Sequence, residues 1–249
     1  MPAQLNGKPR VVVIIPSFNE SGRIGEVVER IPKAVVDAVV VVDDHSTDTT
    51  AIEGLRAGAV VITNNDHKGV GAAIKAGYRE GLREGGDILV VVAADLQHDP
   101  GEIPSLLEPI LDGQAGYVTG NRLNNGPVRQ GMPPDRYFGN LMLTFLTRLA
   151  TGVRVRDSQC GFTAITRQAL GKVNFHWLSD TWGLTNGLIA ECKRNKIRVG
   201  IVPVSTHYGK RPSYIHLGDY VPCMLRVLGA SFLRARASRH FDGKQLSIR

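Results

Sequence analysis

An α/β fold with a mostly parallel central sheet flanked by helices is what this sequence predicts, on three observations. Short apolar runs rich in β-branched residues recur along the first half of the chain, and each ends in a cluster of polar residues. Stretches with apolar residues at helical spacing lie between them. The connections are short, so the alternation reads βαβαβαβ, the pattern of a parallel, right-handed, doubly wound sheet. Because the polar clusters follow strands, they gather at the carboxyl edge of that sheet, where open α/β sheets take their ligands.

In order, residues 11–15 (VVVII) form the first strand, closed by Pro16 and followed by SFNES. Ile24, Val27, Val28 and Ile31 share one helical face, with Ser21 as the expected N-cap. Residues 38–42 form the next strand, ending in Asp43, Asp44 and HSTD. Asp48 or Thr47 caps a helix over 49–57, and 59–63 is the third strand. A run from Asn64 to Gly71 then leads into a helix over 72–83. Its Gly69-x-Gly71 is not the dinucleotide fingerprint, since no third glycine follows at the required spacing. The free N–H groups of that helix start, helped by Lys68, can face a phosphate; the glycines also read as turn chemistry alone.

The central strand, 88–92 (ILVVV), is apolar throughout, as a strand covered on both faces must be. It runs into Asp95, Gln97, His98 and Asp99 before Pro100. A carboxylate at the end of such a strand can hold a divalent metal, and the metal a diphosphate. The same residues also read as a loop in which Asp99 caps a helix over 102–111. The convergence of all these clusters on one sheet edge favours the functional reading. A strand over 115–119 precedes Gly120-Asn121-Arg122, and 123–134 reads as a loop beside the site. Arg136 opens a helix with Tyr137, Leu141, Phe145 and Leu149 at helical spacing, either core or interface. A helix over 177–192 and a strand over 197–204 follow.

The last stretch, 217–236, carries Leu217, Val221, Leu225, Leu228 and Phe232 at helical spacing among arginines. From residue 204 on, eight Lys/Arg stand against Asp219 and Asp242. Such a basic amphipathic helix can lie on an anionic membrane or pack on protein. The division is therefore a catalytic domain over 1–215 and a helical tail over 216–249. The formal net charge of +7 suits an anionic partner. Nucleic acid is disfavoured, because the basic residues do not alternate with aromatics as stacking platforms do. Cys160, Cys192 and Cys223 lack metal-ligand spacing, which suits a reducing cytoplasmic setting. No signal-peptide core and no spanning apolar run is read.

PSFNES, VVVDDHSTDTT, the Asn-x-x-x-Gly-x-Gly lead-in and ADLQHDP, in this order, resemble family 2 glycosyltransferases of the GT-A fold. TGNR, Arg136 with its Gly-Asn, and DSQCGF resemble the branch that makes polyprenyl- or dolichyl-phosphate mannose or glucose. The likeness spans about residues 10–215. It implies an inverting transfer of a hexose from a nucleotide-sugar to a polyprenyl phosphate, on the cytoplasmic face of a membrane or beside a membrane subunit. Pro16, Phe18 and Glu20 would line the base and ribose pocket, with Asp43 and Asp44 contacting the nucleotide, Asp44 the more exposed to it. Lys68, Gly71 and Ala94 would lie beside the donor. Asp95 matches the second acid of the family's Asp-x-Asp motif and, with Gln97, would hold Mg²⁺ or Mn²⁺. Ala93 stands where the first acid belongs, so one carboxylate is missing from that shell. Arg122, Arg136 and Arg211 are the candidates to grip the acceptor phosphate, since guanidinium pairs phosphate bidentately. Asp157 would orient an arginine or the acceptor loop, or act as base if the acceptor is a soluble hydroxyl. A non-catalytic nucleotide-sugar binding protein is the reading that Ala93 leaves open.

Overall fold

The computed structural model of the chain describes residues 7–123, 132–208 and 217–242. The described residues build one seven-stranded sheet from β1 (Val11–Ser17), β2 (Ala38–Asp43), β3 (Val60–Thr63), β4 (Ile88–Val91), β5 (Tyr117–Asn121), β6 (Thr163–Thr166) and β7 (Val199–Pro203). Their order across the sheet is 3-2-1-4-6-5-7. The flanking helices are α1 (Ile24–Glu29), α2 (Thr50–Arg56), α3 (Val70–Arg83), α4 (Ile103–Leu111), α5 (Pro134–Thr151), α6 (Arg167–Leu170), α7 (Leu184–Arg194) and α8 (Leu217–Asp242). Alternate residues of β1 enter opposite layers. Val11, Val13 and Ile15 pack with α1 and α4, while Val12 and Ile14 pack with α3 and α7. On the second face α3 comes so close that a Cβ at Gly77 would lie 2.2 Å from the Ile14 side chain.

The sequence reading holds no strand between 157 and 170, and there the structure adds β6. It runs antiparallel to both β4 and β5, its only neighbours, in a sheet otherwise parallel. Four residues, TAIT, are too few to show a period, which is why the strand has no local signature. Its direction has a consequence for the site. Segments that follow β4, β5 and β7 reach the carboxyl edge, and the segment that precedes β6, 157–162, reaches the same edge.

Other departures have local causes. Ser21 does not cap α1: Arg23 holds the N-cap position, and the Ser21 N–H donates to Asp48 (3.1 Å). Asp48 does serve the first turn of α2, accepting the Thr50 N–H at 2.9 Å. β1 continues through Pro16, which is tolerated because β4 ends opposite Ile14 and offers no ladder partner there. β5 lies two residues later than expected and so carries Asn121 at its end. The helix expected from residue 177 starts only at Leu184, because 178–183 crosses the start of α3 and the Asp180 carbonyl accepts the Ala72 N–H (2.7 Å).

The residues that predicted α5 turn out to face outward. Its buried positions are Thr144, Thr147, Ala150 and Thr151, with the Thr144 and Thr147 hydroxyls bonded to Ser158 (3.4 and 3.2 Å), while Leu141, Phe145 and Leu149 are exposed. The helical tail is present as α8 and packs Met224 and Leu228 against Ala150, Leu143 and Leu146 of α5. The side chains of Arg234, Arg236 and Arg239, and Lys244 and Arg249 altogether, lie outside the described residues.

Candidate active site

Seven segments meet at the carboxyl edge: those after β1, β2, β3, β4, β5 and β7, and the one before β6. The first two form the expected donor side. Asp43 is buried and accepts the Ser46 N–H (3.2 Å). Asp44, expected to be the acid more exposed to the nucleotide, is as buried as Asp43 and is bonded to the protein itself. Its carboxylate accepts from Gly69 N (2.7 Å), Lys68 N (3.2 Å) and Asn64 Nδ2 (2.6 Å), and pairs with His67 Nδ1 (2.9 Å). An acid at this position thus ties residues 64–69 to the end of β2. Phe18 stays exposed and lies against the His67 ring, centroids 4.1 Å apart. This aromatic pair forms a flat surface at the sheet's carboxyl edge, and His67 had no signal in the sequence beyond its place beside Lys68.

Lys68 is an exposed cation paired with Asp66 (3.1 Å). At Gly71 a Cβ would lie 2.3 Å from the Ser179 carbonyl, so the approach of the protein's own backbone requires glycine there. Glu20 is buried and forms an ion pair with Arg23. Asp44→Ala strips a cluster of partly buried donors of their shared buried acceptor. It is expected to cost about 2–3 kcal/mol of stability and, by freeing His67, to weaken nucleoside diphosphate binding at least about tenfold. Thermal melting and titration calorimetry read the two effects.

After β4, Ala94 is buried in the core layer with Val90 and Val92, so only its backbone is left to face a donor. Asp95 accepts the Gln97 N–H (3.0 Å), a turn that sets both side chains at the strand end. Burial raises its pKa above the ordinary carboxylate value, partly offset by that hydrogen bond and by the charges of Arg23 and Arg122. No cluster of three acids, histidines or cysteines that could hold a metal occurs among the described residues. The donor set is one carboxylate and one amide. That fits a hard cation such as Mg²⁺, which takes one or two carboxylates and completes its shell from substrate phosphates and water. His98 is buried against the Phe162 ring, and burial together with Arg122 pushes its pKa down to about 3. It is therefore a neutral wedge under the loop. Asp99 caps the turn into α4 as expected, accepting the Gly101 N–H (2.9 Å).

The other half of the site is made by β5, β6 and β7. Arg122 is buried and lies against Asp157, which is fully buried. Nε donates to Asp157 Oδ2 (2.7 Å) and Nη2 to Oδ1 (3.1 Å), while the Arg122 N–H also donates to Oδ2 (3.2 Å). Burial works against the guanidinium charge, but Asp157 outweighs it and holds the pKa above the usual arginine value. Both Asp157 oxygens are occupied, Oδ1 also by the Gln159 N–H (3.0 Å). Arg136, in the first turn of α5, stands with its guanidinium carbon 5.8 Å from the centre of the Tyr208 ring, and Tyr208 feels the charges of both Arg122 and Arg136. Tyr208, at the end of the segment after β7, is a site residue to which the sequence assigned no role. Arg211 lies outside the described residues.

Comparison with known proteins follows the same line as this geometry. The profile of the family described as Glycosyl transferase family 2 matches residues 12–173. UDP-N-acetylglucosamine--dolichyl-phosphate N-acetylglucosaminyltransferase of Methanococcus voltae is 31% identical over 215 residues, covering 80% of this chain and 86% of that protein. Polyprenol monophosphomannose synthase of Mycolicibacterium smegmatis is 32% identical over 183 residues, covering 70% of this chain and 68% of that protein. Glucosyl-3-phosphoglycerate synthase from Mycobacterium tuberculosis, solved with Mn²⁺, UDP and glucosyl-3-phosphoglycerate, has the same fold: TM-score 0.67, 24% identity, 91% of this chain and 79% of that one covered.

Proposed function

The chain belongs to glycosyl transferase family 2 and is a glycosyltransferase with the GT-A fold, and from that premise we propose that it moves a hexose, with inversion, from a nucleoside diphosphate to a polyprenyl phosphate. The observation that carries this reading is the commitment of Asp157. A hydroxyl acceptor needs a base to take its proton. Asp157 is spent on Arg122 and fully buried, so it is a positioning residue that holds a cation in place. A phosphate monoester, whose second pKa is about 6, is already anionic near neutral pH and needs cations instead. Arg122, with its Nη1 edge unbonded among the described residues, and Arg136 supply them. The names of the two relatives point the same way, since both concern dolichyl or polyprenol phosphate chemistry.

The reaction forms a bond from an acceptor phosphate oxygen to the sugar's anomeric carbon. It breaks the bond from that carbon to the diphosphate, which leaves with the electron pair. Asp95 and Gln97 would hold a divalent cation, and that cation supplies charge stabilisation on the leaving diphosphate. Asp44 holds residues 64–69 so that Phe18 and His67 present their rings to the base. Arg122 and Arg136 bring the acceptor oxygen to the opposite face of the sugar.

The test is transfer of label into a short-chain polyprenyl phosphate from UDP-N-acetylglucosamine, UDP-glucose or GDP-mannose, offered in parallel with Mg²⁺ or Mn²⁺. One donor is expected to label the lipid. Arg136→Ala is expected to lower kcat/KM by at least about a hundredfold, the cost of a lost charge-assisted contact in a reacting site, with donor affinity kept within about twofold. Equal loss of donor binding would remove Arg136 from the acceptor side. Binding of a donor with no transfer to any lipid phosphate would overturn the proposed acceptor.

A further inference from the structure

Behind the Arg122–Asp157 pair runs a chain of polar side chains that touches no reacting group. Asp157 Oδ1 accepts the Gln159 N–H (3.0 Å). From there the Gln159 side chain reaches three partners. Its Nε2 donates to Ser158 Oγ (2.8 Å) and to Asn186 Oδ1 (3.3 Å), and its Oε1 accepts the Tyr220 hydroxyl (2.6 Å). Asn186 in turn donates to Thr147 Oγ1 (2.7 Å), and Thr144 and Thr147 both meet Ser158. The segment 157–162, α5, α7 and α8 each contribute to this network. Ser158, Asn186, Thr144 and Thr147 are buried, so a bond lost among them is not replaced by one to bulk water.

Tyr220 is the member that α8 supplies, and among the described residues it is the one donor to Gln159 Oε1. Its ring lies edge-on to Trp182, centroids 6.3 Å apart, and one turn further on Cys223 Sγ donates to the Trp182 carbonyl (2.8 Å). These contacts fix the start of α8 against 182–183. Burial pushes the Tyr220 pKa up to about 12, against the charge of Arg122, so the hydroxyl stays a donor throughout the neutral range. A donor at that point can be met only by the amide oxygen, which leaves Nε2 for Ser158 and Asn186. With the amide held at both ends, 157–159 keeps the turn in which the Gln159 N–H meets Asp157, and Asp157 keeps its two-pronged hold on Arg122. Neutral partners suit this task, because a second acid beside Asp157 would compete with it for the guanidinium.

We propose that Tyr220 and Gln159 are positioning residues for the acceptor cation: Tyr220 fixes Gln159, Gln159 fixes the Asp157 carboxylate, and Asp157 aims Arg122 at the acceptor phosphate. The inference rests on the reading of Arg122 as a cation that meets that phosphate. It makes the start of α8 a support of the site, although α8 follows every strand of the sheet in the chain.

The experiment compares Tyr220→Phe, Gln159→Leu and the double variant with wild type, all as the full chain. Tyr220→Phe removes one oxygen and keeps the ring against Trp182. Its melting temperature is expected to stay within about 4 °C of wild type, and its nucleoside diphosphate affinity within about twofold. Its kcat/KM for a short-chain polyprenyl phosphate is expected to fall about ten- to a hundredfold, as a displacement of about 1 Å in a reacting site does. The double variant is expected to be no worse than Gln159→Leu alone, because the two residues act in series. Losses that multiply overturn the series, and an equal loss of donor affinity marks Tyr220 as structural only. A second measurement needs no acceptor. In nitrogen-15 spectra of arginine-labelled protein, the Arg122 Nε–H signal is identified by its absence from the Arg122→Leu, Asp157→Leu double variant. In Tyr220→Phe it is expected to shift and to exchange faster with water. An unmoved signal overturns the positioning role. A moved signal in a protein that transfers sugar to no lipid phosphate supports the positioning chain and overturns the acceptor reading alone.

Discussion

Arg122→Ala is expected to lower the melting temperature by roughly 10 °C and to abolish transfer. The stability loss follows from what remains behind. Asp157 is fully buried, with Arg122 the only opposite charge paired with it among the described residues. Removing one partner of such a pair strands the other charge and costs about 3–5 kcal/mol. For a chain of this length that is about 2–4 °C per kcal/mol. Calorimetric melting measures it. The double variant Arg122→Leu with Asp157→Leu separates structure from chemistry. With both charges gone, most of the lost stability is expected to return, while transfer stays absent because the cation that faces the acceptor is missing. If the double variant transfers sugar, the pair is structural only.

Asp95→Asn has the opposite signature: transfer falls roughly a hundred- to a thousandfold while the metal-free protein becomes more stable. Burial raises the Asp95 pKa. The folded protein therefore binds this proton more readily than the unfolded chain does. The stabilising contribution is complete at low pH and is lost as pH rises through the raised pKa, so at neutral pH the buried carboxylate is a cost. Asparagine removes that charge and can still accept the Gln97 N–H that shapes the turn. Mn²⁺ binding in the presence of UDP, followed by electron paramagnetic resonance, is expected to vanish in the variant. In the wild type it is expected to fall on the acid side at a pH above the ordinary carboxylate range. A melting temperature that drops in Asp95→Asn would contradict the assigned cost of the charge. With Ala93 in the place of a second acid, Asp95 would be the metal's one carboxylate, and the variant is expected to be more damaging than in a site with two acids to share the ion.

Much of the site was legible because strand ends are local features. An apolar run with a polar terminus places Asp43, Asp95 and Arg122 at the carboxyl edge whatever the rest of the chain does. The directions of their side chains were not legible. Asp44 follows Asp43 in sequence and shares its burial, yet it turns to the start of α3 because the Gly69 N–H there lacks a helical partner. Gly71, which read as a phosphate approach or as turn chemistry alone, lies so close to the backbone of 179–181 that a Cβ would not fit.

The sequence by itself determined the alternation of strands and helices, the edge at which the polar clusters meet, and the family. Each of these depends on residues a few positions apart. Tertiary structure alone decided that Asp157 belongs to Arg122, 35 positions away, and that the apolar residues of α5 face out while its threonines face in. Both follow from β6. Four residues with no periodic signal enter the sheet antiparallel between β4 and β5, and so carry 157–162 to the carboxyl edge. Arg122 and Asp157 meet there, and Ser158 takes the threonine face of α5.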